Sequence, residues 1–230
     1  MGLKNMSLYK ESWLLYKSLT EDVNFDIDYY QSLIKGRTLE LFAGFGRVVN
    51  RLENKENIIA VELEEQFIPY IQLPSDKIYC GNVLDISSNK FGKFDTIFAA
   101  YNSFCLLTEH KDIDLFFAML ASVLSDNGKI SLSYSDHTKW EVEEGFIELD
   151  NKNYKYNSEF TIQTDKGTWV DIFTDEKGNI YKHTYPVKFY NSIDELNLFS
   201  QKHGLVVTEV VEHKHYEEAG WKDFILEKAF

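Results

Sequence analysis

Hydrophobic positions change their spacing twice along this chain of 230 residues. In residues 7–19, Tyr9, Trp13 and Tyr16 fall at i, i+4 and i+7, which puts three aromatics on one face of a helix. A second short helix is predicted at about 27–35, ending at Gly36. Alternation then replaces helical spacing. Thr38–Phe42, Ile58–Glu62, Lys77–Gly81, Phe94–Ala100 and Lys129–Tyr134 are short strand-like runs separated by helix-length segments. Such a pitch implies βαβ units and therefore a parallel sheet covered on both faces. The clearest connecting helix is about 110–124, where Ile113, Phe116, Phe117, Leu120, Val123 and Leu124 recur at helical spacing before Asp126, Asn127 and Gly128 turn the chain.

After Trp140 the pattern changes again. Residues 144–188 are rich in Tyr, Phe, Thr and Ile and are punctuated by Asn151-Lys152-Asn153, Asp165-Lys166-Gly167 and Glu176-Lys177-Gly178-Asn179. These are hairpin signals, so the segment reads as an antiparallel meander of three or four strands. A helix follows at about 192–203, with Ser192 as N-cap, Glu195 as its capping-box partner and Gly204 as the stop. Leu205–Glu212 and Lys222–Ala229 are the last two strands. The predicted fold is α/β: a doubly wound, mostly parallel seven-stranded sheet with helices on both faces. Residues 37–140 and 189–230 form its core, 141–188 an inserted antiparallel β-meander, and 1–36 an amino-terminal helical lid.

Charge narrows the partners. With 24 Lys+Arg against 37 Asp+Glu, the net charge of −13 repels polyanions, and no basic cluster offsets it, so nucleic acid and anionic membrane surfaces are not expected partners. No run approaches the roughly 18 apolar residues of a spanning helix. Met1–Lys10 also lacks the features of a signal peptide, which makes the cytoplasm the expected location. Cys80 and Cys105 cannot form a disulfide framework or a CxxC zinc site, and both are expected to be buried thiols.

The chemistry concentrates at strand ends. The first strand runs into Glu40-Leu41-Phe42-Ala43-Gly44-Phe45-Gly46-Arg47, with a helix expected behind it. Two glycines one residue apart let a ligand approach the backbone closely and face the helix amides. The second strand ends in Glu62, a carboxylate able to accept hydrogen bonds from both hydroxyls of a ribose, and the third in Gly81-Asn82-Val83, where an adenine edge would arrive. A dinucleotide enzyme would carry a third glycine, but that position holds Val49. An aminoacyl nucleoside needs only the first two.

With these residues in place, the chain resembles the Rossmann-like S-adenosylmethionine-dependent methyltransferases over about residues 28–135 and 189–230. Phe42 replaces the first glycine of that family's acidic-x-G-x-G-x-G motif. The resemblance implies S-adenosylmethionine as cofactor, with Glu40, Phe42 and the Ala43–Gly46 backbone (Ala43, Gly44, Gly46) at its methionine end. It assigns Glu62 and Leu63 to the ribose end, Asn82 and Val83 to adenine, and Ala99, Ala100 and Tyr101 to the sulfonium. The meander resembles the insertion of glycine and amino-sugar N-methyltransferases, which covers the active site or builds a homodimer interface. The first helix resembles their lid, with Tyr16 reaching the cofactor carboxylate; three aromatics packed into the core would explain that helix equally well.

Methyl transfer from a sulfonium needs alignment and an acceptor lone pair, and a base only where the acceptor must lose a proton. Tyr134-Ser135-Asp136-His137 supplies the candidates: His137 with Asp136 as the expected base, Tyr101 and Tyr134 as alternatives. His183, His213 and His215 lack a completing carboxylate cluster, so no metal site is expected. The fourth strand leads into Ala100-Tyr101-Asn102-Ser103 rather than the Asn/Asp-Pro-Pro-aromatic tetrapeptide of enzymes that methylate nucleobase or glutamine amines. A small-molecule acceptor is thus favoured, with N-methylation ahead of O-methylation. The competing reading is a non-catalytic nucleoside-binding or interaction module on the same fold.

Overall fold

The computed structural model describes residues 13–190, 192–213 and 220–229. Within them, α1 (Trp13–Thr20) and α2 (Ile27–Leu33) precede five parallel strands: β1 (Thr38–Leu41), β2 (Ile58–Glu62), β3 (Ile78–Cys80), β4 (Phe94–Ala99) and β5 (Leu124–Ser135). Two helices lie among the connections, α3 (Ser88–Phe91) and α4 (His110–Val123). The meander is a separate four-stranded antiparallel sheet of β6 (Glu144–Leu149), β7 (Lys152–Gln163), β8 (Lys166–Asp175) and β9 (Ile180–Lys188). Helix α5 (Ile193–Ser200) follows, with the Ser192 hydroxyl accepting from the Glu195 amide as the capping pattern predicts. Strands β10 (Leu205–Glu212) and β11 (Trp221–Lys228) complete the seven-stranded sheet antiparallel to β5, in the order β10-β11-β5-β4-β1-β2-β3. No helix among the described residues is long and apolar enough to cross a membrane.

Burial on both faces explains the near-continuous apolar character of the central strands. Leu39, Leu41, Ile59, Val61, Ile97 and Ala99 point toward α4, where they meet Ile113, Phe116, Phe117 and Leu120. Ile58, Ala60 and Phe98 point the other way, toward Tyr30 of α2 and toward Val48 and Val49. The Tyr30 ring stacks on Phe98 at 4.6 Å.

Three local expectations are corrected. No α-helix follows the glycines: turns lead to a single 3-10 turn at Val49–Arg51. Asn50 gives the reason, because its Nδ2 donates to the carbonyls of Phe45 and Tyr70 and its Oδ1 accepts from the Gln72 amide. A side chain that binds backbone groups in this way competes with helical pairing. Cys80 is exposed, since β3 is a three-residue strand at the sheet edge, whereas Cys105 is buried. The Asp126-Asn127-Gly128 segment does not separate α4 from a later strand but lies within β5, at a break in the β4 register. Tyr9 and His215 lie outside the described residues.

Helix α1 bridges the two sheets. Leu15 is buried against Tyr154, Tyr156 and Phe173 of the meander, while Trp13 sets its ring edge-on to Phe67 and Tyr70 beyond β2.

Buried charge tightens the assembly. Lys188, fully buried, donates to the Phe189 carbonyl and pairs with Asp165 and Glu195, which ties β9 to α5 and to the β7–β8 hairpin. Asp223 of β11, also fully buried, accepts from the Tyr30 and Ser131 hydroxyls at 2.9 and 2.7 Å, and His213 Nε2 lies 2.6 Å from its other oxygen. Removing that common partner strands three polar groups in the interior. Asp223→Ala is therefore expected to lower unfolding free energy by about 3–5 kcal/mol, readable from urea denaturation. A loss below 1 kcal/mol would show that the network is not structural.

Candidate active site

The carboxyl ends of β1, β2 and β3 converge because the strands are parallel and in register. The Ala43 amide donates to the Val61 carbonyl at 2.9 Å and the Gly81 amide to the Glu62 carbonyl at 2.8 Å, so each loop leaves from its neighbour's end. In the first loop the backbone turns left-handed at Phe42 (φ 54°), Gly44 (φ 57°) and Gly46 (φ 83°). Gly44 favours glycine through its φ, at which a side chain would be strained, while a Cβ there would project into open space, touching nothing within 4 Å. At Gly46 a Cβ would collide with Asn50.

Two carboxylates stand beneath this loop. Glu62 Oε2 accepts from the Gly44 amide at 2.6 Å and Oε1 from the Glu64 amide at 2.8 Å, which locks the glycine loop to the end of β2. Burial still raises its carboxyl to about 7 against these amides. Glu40 is only 2% exposed, and its Oε2 has no hydrogen-bond partner among the described residues. Burial pushes its carboxyl up to about 8, with the Arg47 guanidinium acting in the opposite sense. Arg47 itself is held by Asp26 through two 2.6 Å hydrogen bonds and lies 5.0 Å over the Tyr101 ring.

Beyond β4 and β5 a cavity of about 530 Å³ opens between the large sheet and the meander. Tyr16 and Leu19 of α1, Tyr101 and Asn102 after β4, Ser135, and Trp221 line the near side. Tyr101 stacks on Trp221 at 4.9 Å and 12°. Trp140 and the meander residues Tyr156, Trp169, Asp171 and Tyr185 line the far side.

No protein-family model matches the chain, and no curated protein matches it by sequence. Solved structures do match. An S-adenosylmethionine-dependent methyltransferase from Clostridium acetobutylicum superposes with a TM-score of 0.73 at 16% identity, over 96% of this chain and 99% of the other. The fold is that of the S-adenosylmethionine-dependent methyltransferases. A sugar N-methyltransferase from a Streptoalloteichus species gives 0.75 at 13% identity over 94% and 92% of the two chains. An amino pentose methyltransferase from Micromonospora echinaspora, solved with S-adenosylmethionine bound, gives 0.66 at 13% over 96% and 94%.

On this methyltransferase fold the sequence-derived residues separate into several places. Glu40, Phe42, Ala43, Gly44, Gly46, Glu62 and Leu63 gather at the β1 and β2 ends, and Leu63 presents an apolar side chain that is 43% exposed. Asn82 and Val83 follow β3; the Asn82 side-chain Oδ1 already accepts from the Leu84 amide at 2.9 Å, so its expected acceptor is partly used. Ala99 faces the α4 side of the core with Leu41, whereas Ala100 is buried on the α2 side. Tyr16 and Tyr101 line the large cavity.

Tyr134, Asp136 and His137 do not join them. They line a second cavity of about 270 Å³ with Tyr190, Lys222 and Phe224. His137 stacks on Phe189 at 4.4 Å, and Tyr134 donates to the Tyr190 carbonyl. Asp136 accepts from the Thr138 amide and hydroxyl instead of orienting the imidazole. His183 is buried in the meander between Tyr16 and Phe173, while His213 sits on Asp223. Sequence reading missed Arg47, Asp26 and the meander residues of the large cavity. A usable signal was present in β8, where Trp169, Asp171 and Phe173 share a strand face with one acid between two aromatics.

A carboxyl raised from 4.5 to about 8 on folding keeps its proton in the native state where the unfolded chain has lost it, so its contribution to stability falls as pH rises between those values. His183, lowered by burial to about 4, acts oppositely but is spent above its ordinary 6.5. Between pH 6.5 and 8 the melting temperature should therefore fall, and Glu40→Gln should flatten that fall, as differential scanning fluorimetry would show. An unchanged slope in the variant would assign the effect elsewhere.

Proposed function

We propose that the protein transfers the methyl group of S-adenosylmethionine to a nitrogen of a small molecule bound in the large cavity. The observation that carries this reading is the pairing of an open glycine cradle with a buried, unpartnered carboxylate oxygen on Glu40. A cofactor's α-ammonium would supply the missing partner, and its methionine chain would run along the space that a Cβ at Gly44 would fill. Glu62, oriented by two backbone amides, would accept from the ribose; the exposed Leu63 would cover the adenine face, and Val83 would take its edge. The cofactor brings an activated methyl group on sulfur. The chain's own residues bind it, orient it toward Tyr101, and close water out with α1 and the meander.

The cavity favours nitrogen over oxygen. An alcohol needs a base beside the reacting hydroxyl, and His137, the only base of near-neutral type in the sequence-derived set, lines the other cavity. An amine carries its own lone pair. The likeness to a sugar N-methyltransferase and an amino pentose methyltransferase agrees with that choice.

Isothermal titration with S-adenosylhomocysteine tests the cofactor site. Glu62→Ala should weaken binding by about 1–3 kcal/mol, the usual scale for losing one partner of a charged hydrogen bond. Gly44→Val should be worse, because a β-branched side chain opposes the positive φ and fills the cradle. Unaltered affinity in both folded variants would end the proposal. Turnover measured with methyl-labelled cofactor tests the second cavity. His137→Asn should stay well short of the roughly hundred-fold loss that follows removal of a positioned base, and a loss of that size with normal cofactor affinity would restore His137 to the reaction.

A further inference from the structure

The large cavity has a charge that its aromatic walls make selective. Four charged side chains line it: Lys139, Glu141, Glu143 and Asp171. Arg47, over the Tyr101 ring, is already neutralised by Asp26. Lys139, Glu141 and Glu143 are exposed at the rim, whereas Asp171 is 2% exposed on the meander face.

Asp171 has no cation. Its oxygens accept from Trp169 Nε1 at 2.7 Å, from the Tyr156 hydroxyl at 3.1 Å and from the Tyr185 hydroxyl at 3.3 Å, all neutral donors, and no salt bridge reaches it among the described residues. The Tyr156 hydroxyl also lies 3.3 Å from Glu143 Oε2, which places the second carboxylate beside the first. Burying a carboxylate without an opposite charge is costly, and the cost is recovered when a cation arrives. Around that point stand the rings of Tyr16, Tyr101, Trp140, Trp169 and Trp221, whose faces attract cations and whose area suits a flat or ring-shaped body.

Resting on the methyltransferase reading, we infer that the acceptor binds as an ammonium at Asp171 and Glu143, with its ring against the tryptophans, that it gives a proton to one of these carboxylates so that the freed nitrogen lone pair can take the methyl group, and that carboxylate- or phosphate-bearing acceptors are refused. The meander is then a charge filter. It admits free amines of sugars or aryl compounds and excludes the same bodies carried on a nucleoside diphosphate.

Quenching of tryptophan fluorescence by three probes of equal ring and unequal charge tests this on the whole protein: benzylamine, benzyl alcohol and benzoate at neutral pH. Benzylammonium should bind at least about tenfold tighter than benzyl alcohol, with benzoate weakest. Asp171→Asn should reduce that preference to about threefold or less. The exposed Glu143→Gln, which leaves the buried hydrogen bonds of Asp171 in place, should reduce it in the same direction. Equal affinity for amine and alcohol, tighter binding of benzoate, or an unchanged preference in both variants would overturn the inference. Titration with S-adenosylhomocysteine is run beside it. Cofactor binding without charge selectivity would sink this inference alone, whereas charge selectivity without cofactor binding would sink the methyltransferase reading and leave a cation-binding cavity.

Discussion

Parallel pairing of β1 between β2 and β4 is the constraint on which the rest of the molecule is arranged. Leu41 lies opposite Val61 on one side and Ala99 on the other, so all three strands end at one level and their loops open in one direction. Everything of chemical interest follows from that alignment. The glycine loop can reach Glu62 only because β1 and β2 stop together, and Tyr101 overlooks the large cavity only because β4 stops beside them. A one-residue slip would also turn Glu40 from the α2 side toward Phe116 and Phe117 on the other face, so the apolar packing of α4 protects the register of the site.

The architecture was legible from residue spacing because each central strand is apolar on two faces and each hairpin has its own turn residues. Ile58–Glu62 and Leu205–Glu212 coincide with the strands found, and the four-stranded meander falls where its turns were read. The helix expected after the glycines gives way to a 3-10 turn where Asn50 ties the loop, through the Phe45 carbonyl, to Tyr70 and Gln72 beyond β2, a long-range link that spacing does not contain. The nucleoside half of the candidate site was legible because it is written in consecutive strand ends. The acceptor half was not, because Tyr16, Tyr101, Trp140, Asp171 and Trp221 come from five distant segments and meet only after α1 and the meander fold over the sheet. His137 shows the converse: it is close in sequence to the end of β5, yet its side chain turns to the Phe189 side, away from the large cavity.

The buried charges follow one division. Where both signs are present, as at Asp26 with Arg47 and at Lys188 with Asp165 and Glu195, the groups fix loops and helices in place. Where a carboxylate is buried with only neutral hydrogen-bond donors, as at Asp171, it lines the large cavity.

Phe42 carries a lesson of another kind. It stands where the acidic-x-G-x-G-x-G motif has its first glycine, its own backbone is left-handed, and its ring settles 6.0 Å from that of Phe116. A torsion angle that usually costs a bulky residue about 1–2 kcal/mol is here accompanied by aromatic packing on the core side, away from any ligand. A left-handed backbone at this position is thus compatible with a side chain that has the core to pack against. A signature written in residue letters records such an angle only at second hand, so a chain can leave the written pattern while keeping the loop that the pattern was meant to detect.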